Sequence, residues 1–279
     1  MREIHVSEIV RAVRDMAIRS CVVLGEDVMA AFRAALEREE SPQGKEVLRR
    51  ILENAEIAKA ENIPTCQDTG LAVVFVELGQ EVHIAGGSLR EAVNEGVRQG
   101  YRDGYLRKSV ADPFTRANTG DNTPAIIHFD VVPGEHLKIA IAPKGGGSEN
   151  MSRATIMPPS AGIPGIKEFV VTRVKEAGPN PCPPIIVGVG IGGNLEVAAL
   201  IGKKALLRPL GSVNPDPTLA RLEAELLEEI NATGIGPSGL GGRITALAVH
   251  CASHPTHIAS LPVSVNIQCH AARHAEVEL

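Results

Sequence analysis

The stretch IIVGVGIGGN, residues 185–194, is an apolar run that gives way to glycine and asparagine. A short apolar run without alternation is what a strand buried on both faces looks like. Asn194 is a suitable helix N-cap, and helical spacing follows to about Leu207. Strand, tight turn and helix in that order point to an α/β arrangement. Gly188, Gly190 and Gly193 also satisfy G-x-G-x-x-G, the dinucleotide-binding spacing. That fingerprint further needs an acidic residue closing a second strand about 20 residues on. The region in question reads LLRPLGSVNPDP, which is no strand. A turn with close backbone packing, or a loop that shapes a site, are the competing readings.

Outward from this stretch, apolar positions alternate between helix and strand periods. Ile9, Val10, Val13, Met16 and Ala17 form one helical stripe, and Val28, Phe32, Ala35 and Leu36 a second. Val47, Leu48, Ile51, Leu52, Ala55 and Ala58 form a third, so residues 1–61 read as helical. LAVVFVEL (71–78) reads as a strand, with EVHIAG after it as a hairpin partner. Ser88 and Glu91 make a capping box for a helix to about Arg102. AIIHFDVV and HLKIAIA read as adjacent strands around a Pro-Gly turn at 133–134. Pro164 and Pro217 open further helices, and ITALAVH and LPVSVNI close the pattern as strands. The expected fold class is therefore α/β, in a mixed α+β sense, with helices first and mixed strands and helices after. No linker separates domains, so residues 1–279 are expected to form one.

The net charge is −5 with no basic run, which argues against nucleic acid or an anionic membrane as partner. No apolar stretch is long enough for a membrane helix, and the charged amphipathic start MREIHVSEIVRAVRD has no secretory apolar region. A cytoplasmic protein is expected. Five widely spaced cysteines do not make a disulfide framework there. Cys21 and Cys251 lie in apolar patterns and read as small core residues. Cys66, Cys182 and Cys269 lie in polar or proline-rich settings: PTCQDTG, NPCPP and IQCHAARH. Cys-Pro neighbours suit iron–sulfur ligands, whereas no C-x-x-C pair supports zinc. Spacing alone does not link the three. A four-iron cluster held by three thiolates would leave one iron open as a Lewis acid. Asp68, two residues after Cys66, is placed by sequence to act beside it. KGGGSENMSR (144–153) is no phosphate loop, since the Gly-Lys-Ser/Thr order is absent, but its bare backbone amides can cradle an anion beside Lys144.

Five motifs in this order, PTCQDTG, RANTGDNTPA, KGGGSEN, NPCPPIIVGVGIGGN and LPVSVNIQCHAARH, resemble the alpha subunit of class I (iron–sulfur) fumarate hydratases. The related L-tartrate dehydratase alpha subunits share the outline. The resemblance runs from about Ser7 to His274. It implies an Fe–S hydro-lyase that interconverts (S)-malate and fumarate, with a [4Fe-4S] cluster on Cys66, Cys182 and Cys269. It implies substrate contacts from Gln67, Asp68 and Arg107, and from Gly145, Ser148, Glu149 and Asn150 of the glycine-rich loop. It implies catalytic roles for Asp68 and His257, with His254 a nearby rival. It also implies a separate beta subunit, a swivel-type module bringing a Thr, Arg and Lys, and an alpha–alpha contact within a hetero-oligomer. Tartrate dehydration is the nearest alternative activity. An iron–sulfur protein for electron transfer or sensing is the alternative of another class.

Overall fold

The structure, a computed structural model, describes residues 2–279. The first half of the chain runs β1 (Arg2–His5), α1 (Val6–Val22), α2 (Glu26–Arg38), α3 (Pro42–Glu61), β2 (Leu71–Gly79), β3 (Val82–Ala85), α4 (Leu89–Asp103) and β4 (Ile126–Val132). It continues with β5 (Leu137–Lys144), α5 (Gly146–Glu149), β6 (Arg153–Met157), α6 (Gly162–Ala177), β7 (Ile185–Gly192) and α7 (Leu195–Ala205). Last come α8 (Pro217–Asn231), β8 (Ala246–His254), β9 (Leu261–Gln268) and β10 (Ala275–Glu278). The mixed α/β class is as expected. The contacts divide the chain into two compact units, the first of residues 1–25, 54–146 and 273–279 and the second of residues 26–53 and 147–272.

In the first unit a four-stranded sheet has the order β10-β5-β2-β4. Ala72, Val74 and Val76 of β2 and Leu137, Ile139 and Ile141 of β5 pack on Ile9, Val13 and Ala17 of α1 and on Val93, Val97 and Tyr101 of α4. Cys21 lies in that same core with no exposure. Two strand pairings differ from the sequence expectation. β4 and β5 do not pair with each other; β2 lies between them, parallel to β4 and antiparallel to β5. β2 carries the longest buried run, and the centre of a sheet is where both faces of a strand are covered. β3 is not the hairpin partner of β2 but pairs in parallel with β1, a strand that the helical reading of residues 1–61 missed.

In the second unit the sheet order is β6-β9-β7-β8. Ile185, Val187 and Val189 of β7 face Ile166, Val170 and Val174 of α6 and Leu222, Leu226 and Ile230 of α8. The residues between them, Gly188 and Gly190, face α7. A Cβ on Gly188 would lie 2.1 Å from the carbonyl oxygen of Gly202. The glycine spacing is thus a close-packing device, and α7 sits on bare strand backbone. Cys251 is buried in this second core.

One buried carboxylate closes the second unit. Glu39 follows α2 and accepts backbone N–H bonds from Glu40 (2.9 Å), Ser41 (2.9 Å), Arg243 (2.9 Å) and Ile244 (2.8 Å). Burial pushes its carboxyl up, but these four amides together outweigh burial and hold it below the usual glutamate range. A depressed native pKa adds stability above the unfolded value, and that stability is lost as pH falls through the native one. Glu39→Gln is expected to lose about 2–3 kcal/mol at neutral pH. The gap to the wild type should narrow as pH falls below 4.5, the ordinary value for this group. Urea midpoints at pH 7 and at acid pH check this.

Candidate functional site

The sequence-predicted site residues fall in both units, and each half is built differently. In the first unit, Cys66, Gln67 and Asp68 lie on the turn that leads from α3 into β2. Cys66 and Asp68 are half-buried and Gln67 is exposed. The Cys66 Sγ lies 3.4 Å from Gln67 Oε1. Asp68 is held at both oxygens: Oδ1 accepts from the Gly70 N–H at 3.0 Å and Oδ2 from the Gly146 N–H at 2.8 Å. A Cβ on Gly145 would stand 3.1 Å from Oδ2, tighter than most such contacts. The glycine-rich loop therefore lets its backbone close on the Asp68 carboxylate. This is the cradle expected of KGGGS, here filled by a side chain of the chain itself.

The turn is pinned from behind. The buried Tyr101 hydroxyl donates to the carbonyls of Thr69 (2.7 Å) and Gly70 (3.1 Å). Asn122 Nδ2 donates to the Gly70 carbonyl at 3.2 Å, and its Oδ1 accepts from the Ser109 and Val110 amides at 2.6 and 3.2 Å. Asn122 sits at φ 63°, a left-handed conformation that asparagine tolerates better than most residues. This gives RANTGDNTP a task, which is to brace the turn and the 107–110 segment. Thr69 Oγ1 donates to the Arg107 carbonyl at 3.0 Å, so exposed Arg107 lies against the same turn. Tyr101→Phe removes the donor to two buried carbonyls and is expected to cost about 1–3 kcal/mol, read from urea unfolding.

Arg273 was not singled out from the sequence. It is 2% exposed, and its Nη1 donates to the Asp68 carbonyl at 2.7 Å. Its Nε is buried with no hydrogen-bond partner. A buried guanidinium with an idle donor is an open demand for an anion or acceptor. Nothing local in CHAARH separates this arginine from a surface one.

In the second unit, Cys182 and Cys269 come together although 87 residues apart in sequence. The His270 N–H donates to the Cys182 carbonyl at 3.3 Å, and His270 Nδ1 lies 3.1 Å from the same oxygen. Cys182 is exposed and sits at φ 56°, strained for a residue with a Cβ. Cys269 is half-buried. Both cysteines flank the start of β7, where Ile186 pairs with Gln268. Buried Ser148 donates to Gln268 Oε1 at 3.4 Å, which brings Ser148 to this end of the sheet. Glu149 is bound through both carboxylate oxygens to Lys203 Nζ at 2.6 Å. Lys203 is a further residue that sequence reasoning missed, because only the packing of α7 reveals it. Asn150 is exposed beside them.

His257 is elsewhere. It is exposed on the loop after β8, its Nδ1 accepts from the Ala259 N–H at 3.1 Å, and Thr256 of that loop donates to the Gly193 carbonyl at 2.8 Å. Gly193 follows the far end of β7. A strand of eight residues spans about 25 Å. The second unit thus does not bring His257, or its neighbour His254, to Cys182 and Cys269.

The donor chemistry fits an iron–sulfur cluster in kind. All five cysteines are thiols. Burial pushes the Cys21 thiol up to about 11 and raises Cys251 further. A thiol held protonated in a core is no ligand. Cys66, Cys182 and Cys269 are the reachable three, as the sequence contexts suggested.

Comparison with known proteins places these features. The family model described as fumarate hydratase (fumerase) matches residues 10–278. A Methanocaldococcus jannaschii protein provisionally named L(+)-tartrate dehydratase subunit alpha is 44% identical over 262 residues, 92% of either chain. The L(+)-tartrate dehydratase alpha subunits of Escherichia coli UTI89 and K12 are 35% and 34% identical over 255 residues, covering 89% of this chain and 83% of theirs. A family match over nearly the whole length, on a chain whose reachable thiols stand apart from its core thiols, leads to one conclusion: this chain belongs to the fumarate hydratase family of hydro-lyases.

Proposed function

We propose that the chain is the alpha subunit of a [4Fe-4S]-dependent fumarate hydratase, with Cys66, Cys182 and Cys269 as the cluster ligands. The observation that carries this reading is the sorting of the cysteines: two sealed in separate cores, three reachable, and one of those three in a strained conformation tied beside another. When bound, the cluster supplies an iron without a protein ligand, a Lewis acid for a substrate hydroxyl.

The chain's own residues then bind and orient a C4 dicarboxylate. Arg107 and Arg273 lie at the Asp68 turn and offer charge-assisted bonds to carboxylate oxygens. Gln67 and Asn150 are exposed polar groups for the same substrate, and Ser148, two residues before Asn150, is a hydroxyl donor. Lys203 holds Glu149 in one direction. Asp68, fixed by two amides, is the proton-handling group on this chain. His257 enters the proposal only through the resemblance. A separate beta subunit completes the site and brings the preferred base, a threonine. Gly145 serves by letting Asp68 approach the loop. Both compact units act as one catalytic domain. Among the described residues no helix is long and apolar enough to cross a membrane. An oxidant-sensitive cluster suits a reducing cytoplasmic setting.

A second reading, L-tartrate dehydratase alpha subunit, is favoured by the names of the relatives above. Turnover of (S)-malate and of L-tartrate by the chain with its beta subunit separates the two. Faster malate turnover is expected, and the isolated chain should be nearly inactive. Faster tartrate turnover would establish the second reading. Reversible one-electron reduction without turnover of either acid would favour the electron-transfer alternative.

A further inference from the structure

The sheet of the second unit ends at β8, and side chains take the place of a further strand along its outer edge. β8 pairs with β7 in parallel, so the N–H and C=O of one residue point to the same side and successive residues alternate. The Gly193 N–H donates to the His254 carbonyl, which makes His254, Ala252, His250 and Ala248 inward and Cys251 and Val249 outward. Asn231, the last residue of α8, donates to the Ala246 carbonyl at 3.2 Å and accepts from the Ala246 N–H at 2.9 Å. At Cys251 the N–H donates to Glu223 Oε1 at 2.7 Å, and Asn214 Nδ2 donates to the carbonyl at 3.0 Å. Val249 lies between these caps, is 3% exposed, and has no cap of its own among the described residues. The helix explains the gap. Glu223, Leu227 and Asn231 recur every four residues on α8, and the middle one is apolar. A cavity of about 230 Å³ lies there, with Val249, Leu227, Leu247, Ala224 and Val213 in its lining. It opens to solvent past exposed Val213 and Ala224. Arg208 and Glu223 form one wall and neutralise each other, Nη1 to Oε1 at 2.8 Å and Nη2 to Oε2 at 2.6 Å. Burial first, and Arg208 second, push His250 down to about 4, so the lining carries no net charge at neutral pH. The LLRPLGSVNPDP segment is held in place over the cavity: the Leu210 N–H donates to Asp27 Oδ2 at 2.9 Å and Arg208 Nε to Ser212 Oγ at 3.1 Å.

We propose that this cavity binds a small uncharged ligand, a single amino-acid residue acylated at its nitrogen and amidated at its carboxyl, in antiparallel pairing with Val249. A buried main-chain donor and acceptor side by side demand an acceptor and a donor at the same separation. Two amides flanking one carbon supply them: the ligand N–H donates to the Val249 carbonyl, and the ligand C=O accepts from the Val249 N–H. Residues opposed in such a pair carry their side chains on one face. The ligand side chain therefore joins that of Val249 beside Leu227 and Ala224 of α8, which selects a small apolar one. The neutral lining offers no counter-charge to the termini of a free amino acid. The caps at Ala246 and Cys251 confine the pairing to one residue, so a longer peptide gains no further main-chain bond there. A cavity of about 150 Å³ holds a benzene ring, so this one suits roughly ten heavy atoms. None of the cysteines proposed as ligands lines the cavity, and the inference does not rest on the hydratase reading.

A ligand-observed NMR titration of the full chain with N-acetyl-L-valinamide tests this. A dissociation constant of roughly 1 mM is expected for so small a ligand. N-acetyl-N-methyl-L-valinamide lacks the donor and should bind about tenfold more weakly. Free L-valine should not compete. Leu227→Asn repeats at Val249 the cap that Asn231 makes at Ala246, and should abolish binding while the melting temperature holds. Ala224→Phe fills the mouth of the cavity from an exposed helix position and should also abolish binding; it decides the matter even if Leu227→Asn folds poorly. Adding an alanine on each side of the valine should change the affinity by less than about threefold. Absence of binding to the wild type would overturn the proposal. So would equal binding of the N-methylated probe, binding unaltered in Ala224→Phe, or a longer peptide that binds far more tightly.

Discussion

Cys182→Ser, reconstituted anaerobically with iron and sulfide, is expected to hold almost no cluster, against about four irons in the wild type. Cys66→Ser and Cys269→Ser should behave alike. Cys21→Ser and Cys251→Ser should keep full iron, since both thiols lie in apolar cores with their pKa values raised. The contrast is large because a thiolate cannot be replaced by a hydroxyl of much higher pKa at a soft metal site. Cys182 is the sharpest case. Its backbone is already in the left-handed region and its carbonyl is fixed by His270, so no small shift offers another donor from that loop. Iron analysis and the visible spectrum check the outcome. Full assembly in Cys182→Ser, or loss of assembly in Cys21→Ser, would overturn the ligand set.

Gly190→Ala is the substitution expected to damage the fold most. The added Cβ would lie 1.9 Å from the Ala198 carbonyl oxygen and 2.7 Å from the Gly202 amide nitrogen. Those atoms are helix backbone, which cannot rotate aside as a side chain can. The helix must lift off the strand, and the hydrogen bond from the Ser264 hydroxyl to the Ala198 carbonyl at 2.6 Å goes with it. Overpacking of this kind costs about 3 kcal/mol or more. Thermal melting should fall by roughly 6–12 °C for a chain of this size. An unchanged melt would mean that α7 does not rest on β7 as described.

Much of the fold was legible. The stripes of α1, α2 and α3, the Ser88 cap of α4 and the Asn194 cap of α7 follow from local period and local hydrogen bonding, which sequence carries directly. Strand partnership did not follow. β4 and β5 are sequence neighbours across a Pro-Gly turn, yet β2 lies between them, because burial of its two apolar faces outweighs the short connection. The three reachable cysteines were legible from their polar, proline-rich contexts. Arg273 and Lys203 were not. Their significance lies in partners 205 and 54 residues away, Asp68 and Glu149, and no local pattern encodes such distances. The glycine spacing around Gly188 was legible only as a set of alternatives, and the contacts with α7 decide for close packing.

The most direct measurement is a titration of native, anaerobically purified chain with a thiol reagent, before and after removal of iron. With the cluster in place all five cysteines should resist, three as iron ligands and two inside the cores. Without it Cys66, Cys182 and Cys269 should react while Cys21 and Cys251 stay protected. The same number of reactive thiols with and without iron would contradict a cluster held by those three residues.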